Sequence, residues 1–134
     1  MESTQWLCTF SFYTAEISVK TMKLILAIIR PTRLTPVKDA LKEHGFTGIT
    51  ITAVKGRGSQ RGTVERYRGS EYKIDLHDKI EIKVIVDDED LEKALKVITE
   101  SAKTGELGDG KIFVLNVEQV VRIRTDEVGS SALG

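Results

Sequence analysis

At 134 residues, 40% hydrophobic and 30% charged, the chain has the size and composition of one globular domain able to bury its own core. Twenty lysines and arginines balance twenty aspartates and glutamates, which removes any general attraction to nucleic acid or anionic membrane. The single cysteine, Cys8, excludes an internal disulfide and a cysteine-based zinc site, and two isolated histidines, His44 and His77, are too few for a metal cluster.

Residues 1–21 differ in character from the rest of the chain. They hold Trp6, Phe10, Phe12 and Tyr13, half of all the aromatics. Glu2 and Glu16 argue against a signal or transit peptide. The β-prone run 9–14 suits an edge strand, but the simpler expectation is an upstream extension of unknown role with Met22 as the natural start. No apolar run approaches membrane-spanning length, so the expected location is cytoplasmic.

From Lys23 the pattern is orderly. Leu24-Ile25-Leu26-Ala27-Ile28-Ile29 predicts a strand covered on both faces, and Arg30-Pro31 ends it. Thr35 and Pro36 are placed to cap and open a helix that Gly45 closes, with Leu34, Val37, Leu41 and His44 at helical spacing. His44 falls in its last turn, where a cation suits the dipole. A strand follows at 49–54. Residues 56–72 then contain four glycines, one aliphatic residue (Val64), and Arg57, Arg61, Arg66 and Arg68 against Glu65 and Glu71. This composition predicts a long irregular loop, too long for a hairpin turn, that meets a ligand or partner.

The second half repeats the first. Ile80, Ile82, Val84 and Val86 alternate with Lys79, Glu81 and Lys83, the pattern of a strand with one buried face. Asp87 is a natural cap, Asp88, Glu89 and Asp90 add negative charge to a helix start, and Leu91, Ala94, Leu95, Ile98 and Ala102 form one apolar stripe. A glycine-rich turn at 104–110 leads to a strand at 112–117. The predicted architecture is α+β, a ferredoxin-like β-α-β-β-α-β sheet with two helices on one face. The other face then requires cover, most simply by self-association. The tail after Thr125 is expected to be loose.

Two stretches nearly match nucleotide signatures. Gly105-Glu-Leu-Gly-Asp-Gly110-Lys111 fits a P-loop until Ile112, which stands where a magnesium-binding hydroxyl belongs, and it leads from helix to strand. Gly56-Arg-Gly58 followed by Gly62 misses the dinucleotide spacing by one residue. The underlying physics survives in both: glycines let backbone N–H groups approach phosphate, and Lys111 adds charge. Arg122-Ile-Arg124, read as extended, places two guanidiniums on one side for bidentate contacts to a polyphosphate. Together these favour an anionic ligand, a nucleotide.

The lead-in Gly56-x-Gly58-x-Gln60-x-Gly62, then Tyr67-Arg-Gly-Ser-Glu-Tyr72, Thr104-Gly-Glu-Leu-Gly-Asp-Gly-Lys-Ile-Phe113 and Arg122-Ile-Arg-Thr125 closely resemble the PII nitrogen-regulatory signal proteins. The resemblance runs from Met22 to about Glu127, which makes 22–134 the domain. It implies a homotrimer with a nucleotide site in each intersubunit cleft and a long T-loop at 56–72. By similarity, Thr104, Gly108, Asp109, Gly110 and Lys111 would hold the phosphates and ribose of ATP or ADP, and Arg122 and Arg124 would reach them from the neighbour. Gln60 matches the family's Mg2+ ligand, which joins ATP to 2-oxoglutarate, and Lys79 matches the lysine that pairs with a 2-oxoglutarate carboxylate. Gly58, Arg61 and Gly62 would complete that second site.

The resemblance also implies control of an ammonium transporter or of nitrogen-assimilation enzymes through the T-loop, with membrane contact only through a transporter. Its Gly-Arg-Gly-x-Gln-x-Gly form looks most like archaeal members. Arg68 would be the anchor, and Ser70 and Tyr72 occupy positions modified in some relatives. The implied protein is a regulator without catalytic residues. A PII-like trimer sensing another small molecule is the alternative. A small phosphate-processing enzyme lacks a paired acid and nucleophile, and a nucleic-acid binder lacks exposed strand aromatics.

Overall fold

The computed structural model describes residues 21–58 and 76–133, and residues 63–67 and 70–74 by their backbone. The N-terminal extension expected at 1–21 therefore lies outside the described residues, apart from Thr21.

Four strands, β1 (Met22–Ile29), β2 (Ile49–Gly56), β5 (His77–Asp87) and β6 (Lys111–Val117), form one antiparallel sheet in the order β2-β5-β1-β6. Between β2 and β5, β3 (Thr63–Tyr67) and β4 (Ser70–Ile74) form a separate two-stranded sheet. Helices α1 (Leu34–Glu43) and α2 (Leu91–Ala102) are the two crossovers. The ferredoxin-like arrangement is present as expected.

Strand alternation decides which side chains meet the helices. Ile25, Ala27 and Ile29 of β1 and Ile82, Val84 and Val86 of β5 turn to one face, where Val37 and Leu41 of α1 and Ala94, Val97, Ile98 and Ala102 of α2 complete the core. Val97, absent from the predicted stripe, widens the buried face of α2. Among the described residues nothing of this chain covers the opposite face, the one for which self-association is expected. Leu24, Leu26 and Ile28 stay partly accessible, and their rung partners Leu115 and Phe113 are 47% and 49% exposed. An apolar run therefore does not distinguish burial by the chain's own helices from an apolar face that its own helices leave open.

The helix starts differ from expectation for a common reason. A 3-10 turn (Pro31–Arg33) precedes α1 and another (Asp88–Asp90) precedes α2, and neither helix has a side-chain cap. Pro31 presets the first turn through its fixed φ, so Thr35 is already helical and Pro36 falls third, where its missing N–H removes no helical bond. The Asp87 carboxylate accepts a hydrogen bond from Ser130 Oγ at 2.7 Å instead of capping α2. That bond also corrects the expected loose tail: residues 129–132 form a 3-10 turn whose Ser130 is tied to the end of β5. Gly45 closes α1 as predicted, at φ 89° with its N–H donating to Lys42 O, and His44 Nδ1 donates to Ala40 O at 2.8 Å.

The expected irregular loop is also corrected, because β3 and β4 pair over five rungs from Thr63↔Ile74 to Tyr67↔Ser70.

Gly110, immediately before β6, has φ 98° and packs so closely on β1 that a Cβ would lie 1.7 Å from Ile28 O. Gly105 has φ 89° but open space around it. Gly110→Ala is expected to destabilise the fold by roughly 2–5 kcal/mol, from backbone strain plus overpacking. Gly105→Ala carries only the left-handed penalty of about 1–2 kcal/mol. Denaturant unfolding of the two variants checks the order; equal losses would contradict the close approach.

Candidate anion-binding cleft

The segment from Thr104 to Lys111 is folded around one carboxylate. Asp109 Oδ2 accepts hydrogen bonds from the backbone N–H groups of Thr104 at 2.8 Å and Gly105 at 2.9 Å. Asp109 Oδ1 accepts from the Thr104 hydroxyl and from Arg30 Nε at 2.9 Å. The same guanidinium donates through Nη2 to Leu107 O. Arg30 stands at the end of β1, so the loop is bolted to the central strand. Left-handed backbone at Gly105, Gly108 and Gly110 lets the chain curl this tightly. The Thr104 hydroxyl, the Arg30 guanidinium and the Thr104 and Gly105 amides, in that order, hold the Asp109 carboxyl well below the usual carboxylate range.

Lys79 approaches the same loop from β5. It is 9% exposed, and its Nζ donates to Gly108 O at 2.6 Å. Burial, followed by the positive charge of Arg30, pushes its ammonium below the ordinary lysine value, while Asp109 acts in the opposite sense. A desolvated cation of this kind favours an incoming anion.

A cleft of about 440 Å3 opens beside this pair. Its walls are Gly56, Arg57 and Gly58 at the end of β2, His77 and Lys79 of β5, the loop from Glu106 to Gly110, Lys111 and Phe113 of β6, and Ile28 of β1. Glycine backbone and the cations Arg57, Lys79 and Lys111 share the lining with Glu106 and with the apolar Ile28, Leu107 and Phe113, and the carboxylate of Asp109 is already committed to four donors. This chemistry suits a multiply charged anion whose oxygens approach main-chain N–H groups.

Six of the sequence-derived site residues meet here: Gly58, Lys79, Gly108, Asp109, Gly110 and Lys111. Thr104 does not line the cleft but braces Asp109. Gln60, Arg61, Gly62 and Arg68 lie outside the described residues. Ser70 and Tyr72 are on β4, paired with Tyr67 and Glu65.

Arg122 and Arg124 are not among the residues lining the cleft, and the extended geometry expected for them is corrected. Residues 123–125 form a turn, closed by the Val121↔Val128 bridge and by Asp126 N–H donating to Arg122 O. Arg122 Nη1 lies 3.3 Å from Glu127 Oε1, and its Nη2 donates to Ser131 O. Asp126 at φ 61° allows the reversal.

Sequence reasoning missed Arg30 and His77. In sequence Arg30 reads only as the end of a strand, and its partner lies 79 residues away, beyond any periodicity. His77 had a readable signal, since it stands two residues before Lys79 and so on the same strand face.

Asp109→Asn should loosen the loop in a pH-dependent way. A carboxyl whose folded pKa is depressed contributes stability above its unfolded value of about 3.8. That contribution is lost as pH falls below it towards the folded value. The melting temperature of the variant should therefore trail the parent at pH 7, with the gap closing as pH drops below about 4. A gap constant from pH 7 to pH 2.5 would remove Asp109 from this role.

Among known proteins, the family described as Nitrogen regulatory protein P-II matches residues 22–127. A P-II protein of Porphyra purpurea is 54% identical over 112 residues, which is 84% of this chain and all of the relative. P-II protein 1 of Methanothermobacter thermautotrophicus is 52% identical over 115 residues, 86% of this chain and all of the relative. The solved structure of Arabidopsis thaliana PII bound to citrate superposes with a TM-score of 0.69 at 35% identity, covering 84% of this chain and 92% of that one.

Proposed function

This chain belongs to the P-II nitrogen regulatory family, and from that premise we propose that its cleft senses ATP or ADP together with 2-oxoglutarate and reports their occupancy through residues 56–76. The family is named for regulation, not catalysis, and no chemical step is assigned to the cleft. The observation that carries the reading is the convergence of Lys79 and Lys111 on glycine backbone from two separate segments, 56–58 and 108–110. A phosphate chain needs such a surface, and the bound Asp109 carboxylate holds the loop in shape without serving as a free acid. Citrate on the Arabidopsis relative accords with a fold that accepts polyanions.

The working unit in this reading is a homotrimer. The sheet face bearing Phe113 and Leu115 is covered by neighbouring copies, and Arg122 and Arg124 of one copy serve the cleft of the next. Glu127 and Ser131 orient Arg122, whose guanidinium offers a fork of donors that matches a phosphate. Arg122→Ala combined with Arg124→Ala is expected to weaken ATP binding more than tenfold, since each charged hydrogen bond contributes roughly 1.5–3 kcal/mol, while the trimer persists by light scattering. Unchanged ATP affinity would place the arginines elsewhere.

The donor set fits ATP and 2-oxoglutarate with Mg2+. Gln60 supplies an amide oxygen suited to a hard cation, and bound magnesium supplies the charge that joins nucleotide and keto acid. Lys79 offsets a keto-acid carboxylate. A lone surface pair contributes only about 0–1 kcal/mol, so Lys79 by itself makes a weak site, and binding of the two ligands is positively coupled and reciprocal. Arg68, Ser70 and Tyr72, on or beside the β3–β4 hairpin, then serve partner capture and its modification. The partner is an ammonium transporter or a nitrogen-assimilation enzyme, and the protein works in the cytoplasm.

Calorimetric titration of 2-oxoglutarate tests the whole reading. Binding is expected with Mg-ATP, and none with Mg-ADP or without nucleotide. Equal uptake without nucleotide, or none under any condition, would favour the alternative of a PII-like sensor for another small molecule.

A further inference from the structure

We propose that residues 127–131 form a strap that positions Arg122 for the cleft of a neighbouring copy, with Glu127 as its positioning residue and the Ser130–Asp87 hydrogen bond as its pin; this rests on the reading of Arg122 as a phosphate ligand. The strap holds the Arg122 guanidinium on two sides, Nη1 lying 3.3 Å from Glu127 Oε1 and Nη2 donating to Ser131 O at 3.3 Å. Glu127 is itself oriented. Its Oε1 also accepts from Thr125 Oγ1 at 2.8 Å, and its backbone N–H donates back to that hydroxyl at 3.3 Å. Main-chain bonds close the ring, Arg122 N–H donating to Glu127 O and Gly129 N–H to Val120 O. An arginine side chain loses rotamer freedom when it grips a phosphate, and immobilising it beforehand removes that cost from binding.

The pin decides which cleft the arginine serves. Ser130 Oγ donates to Asp87 Oδ1 at 2.7 Å. Asp87 is the last residue of β5, whereas Lys79, which lines the cleft, stands near the start of that strand. At the rise of an extended strand the two are about 26 Å apart. The other edge of the sheet agrees. Lys111, on the cleft, pairs with Ile28, while Val117, after which the chain leaves for Arg122, pairs with Met22 at the far end. Arg122 is therefore tied to the end of the sheet opposite its own chain's cleft, and the cleft it can reach belongs to another copy. The pairing leaves the Arg122 side chain 25% accessible, so Glu127 holds the guanidinium without sealing it from a ligand.

Calorimetric titration of Mg-ATP into the full chain tests the strap. Ser130→Ala and Glu127→Ala are each expected to weaken ATP binding roughly threefold to tenfold, the effect of one lost hydrogen bond. Ser130→Thr, which keeps the hydroxyl, should restore most of the affinity. Ser130→Ala added to Arg122→Ala should weaken binding little further, because a strap that acts through Arg122 then has nothing left to position. An equal effect of Ser130→Ala with and without Arg122 overturns the proposal, since it marks a general loss of structure. Tighter ATP binding by Glu127→Ala overturns it too, for the carboxylate would then compete with the phosphate. Wild-type affinity in either alanine variant does the same. These three results leave the nucleotide reading standing. An Arg122→Ala variant that binds ATP as tightly as wild type overturns the role of Arg122 itself, and the strap falls with it.

Discussion

The contact between Arg30 and Asp109 is the constraint on which the cleft depends. It joins the end of the central strand to a loop with three left-handed glycines. Thr104 and Gly105 hold the curl of the loop through Asp109, and the Arg30 contact fixes that curl to the sheet. With it, Leu107 and Gly108 present their carbonyls to Arg30 and Lys79. The charge pattern is ordered accordingly. Asp109 is fully engaged by its four donors, and Lys79 and Lys111 line the cleft together with Glu106.

The sheet positions everything else. β1 lies between β5 and β6, so the ends of β1, β5 and β6 meet at one edge together with the end of β2. Lys79, Lys111 and Ile28 come from three strands and reach the same cleft because the antiparallel registers place Ile28 opposite Lys111 and beside Glu81. The core on the helix side fixes those registers, since a one-residue slip would turn Ile25, Ala27 and Ile29 away from Leu41 and Ile98. Packing far from the cleft thus determines its shape.

The parts of this arrangement that were legible in sequence share one property. Periodic burial writes a repeat into the chain, so β1, β5, α1 and α2 were readable from Ile25, Ile82, Val37 and Ile98. Features held by backbone or by single distant partners leave no repeat. The β3–β4 pairing has only Val64 and Ile74 as aliphatics and rests on ladder hydrogen bonds. The helix starts at Leu34 and Leu91 follow from 3-10 turns set by Pro31 and by Asp88–Asp90, in which the expected caps play no part. At the cleft, the glycines of 104–110 and Lys79 were visible by residue type. The inward use of Asp109 and its tie to Arg30 depend on geometry that only the folded chain supplies. The turn at Arg122 was hidden for the same reason, because the Glu127 contact and the Ser130–Asp87 bond that fold the tail back are individual polar contacts.

The five rungs between β3 and β4 bear on the cost of recognition. A backbone already held in a ladder has surrendered most of its torsional freedom before any partner arrives. A binding partner that grips the paired arm therefore orders fewer degrees of freedom than one that must fold a random segment onto itself. The penalty for docking falls mainly on side chains and on the orientation of the arm as a whole.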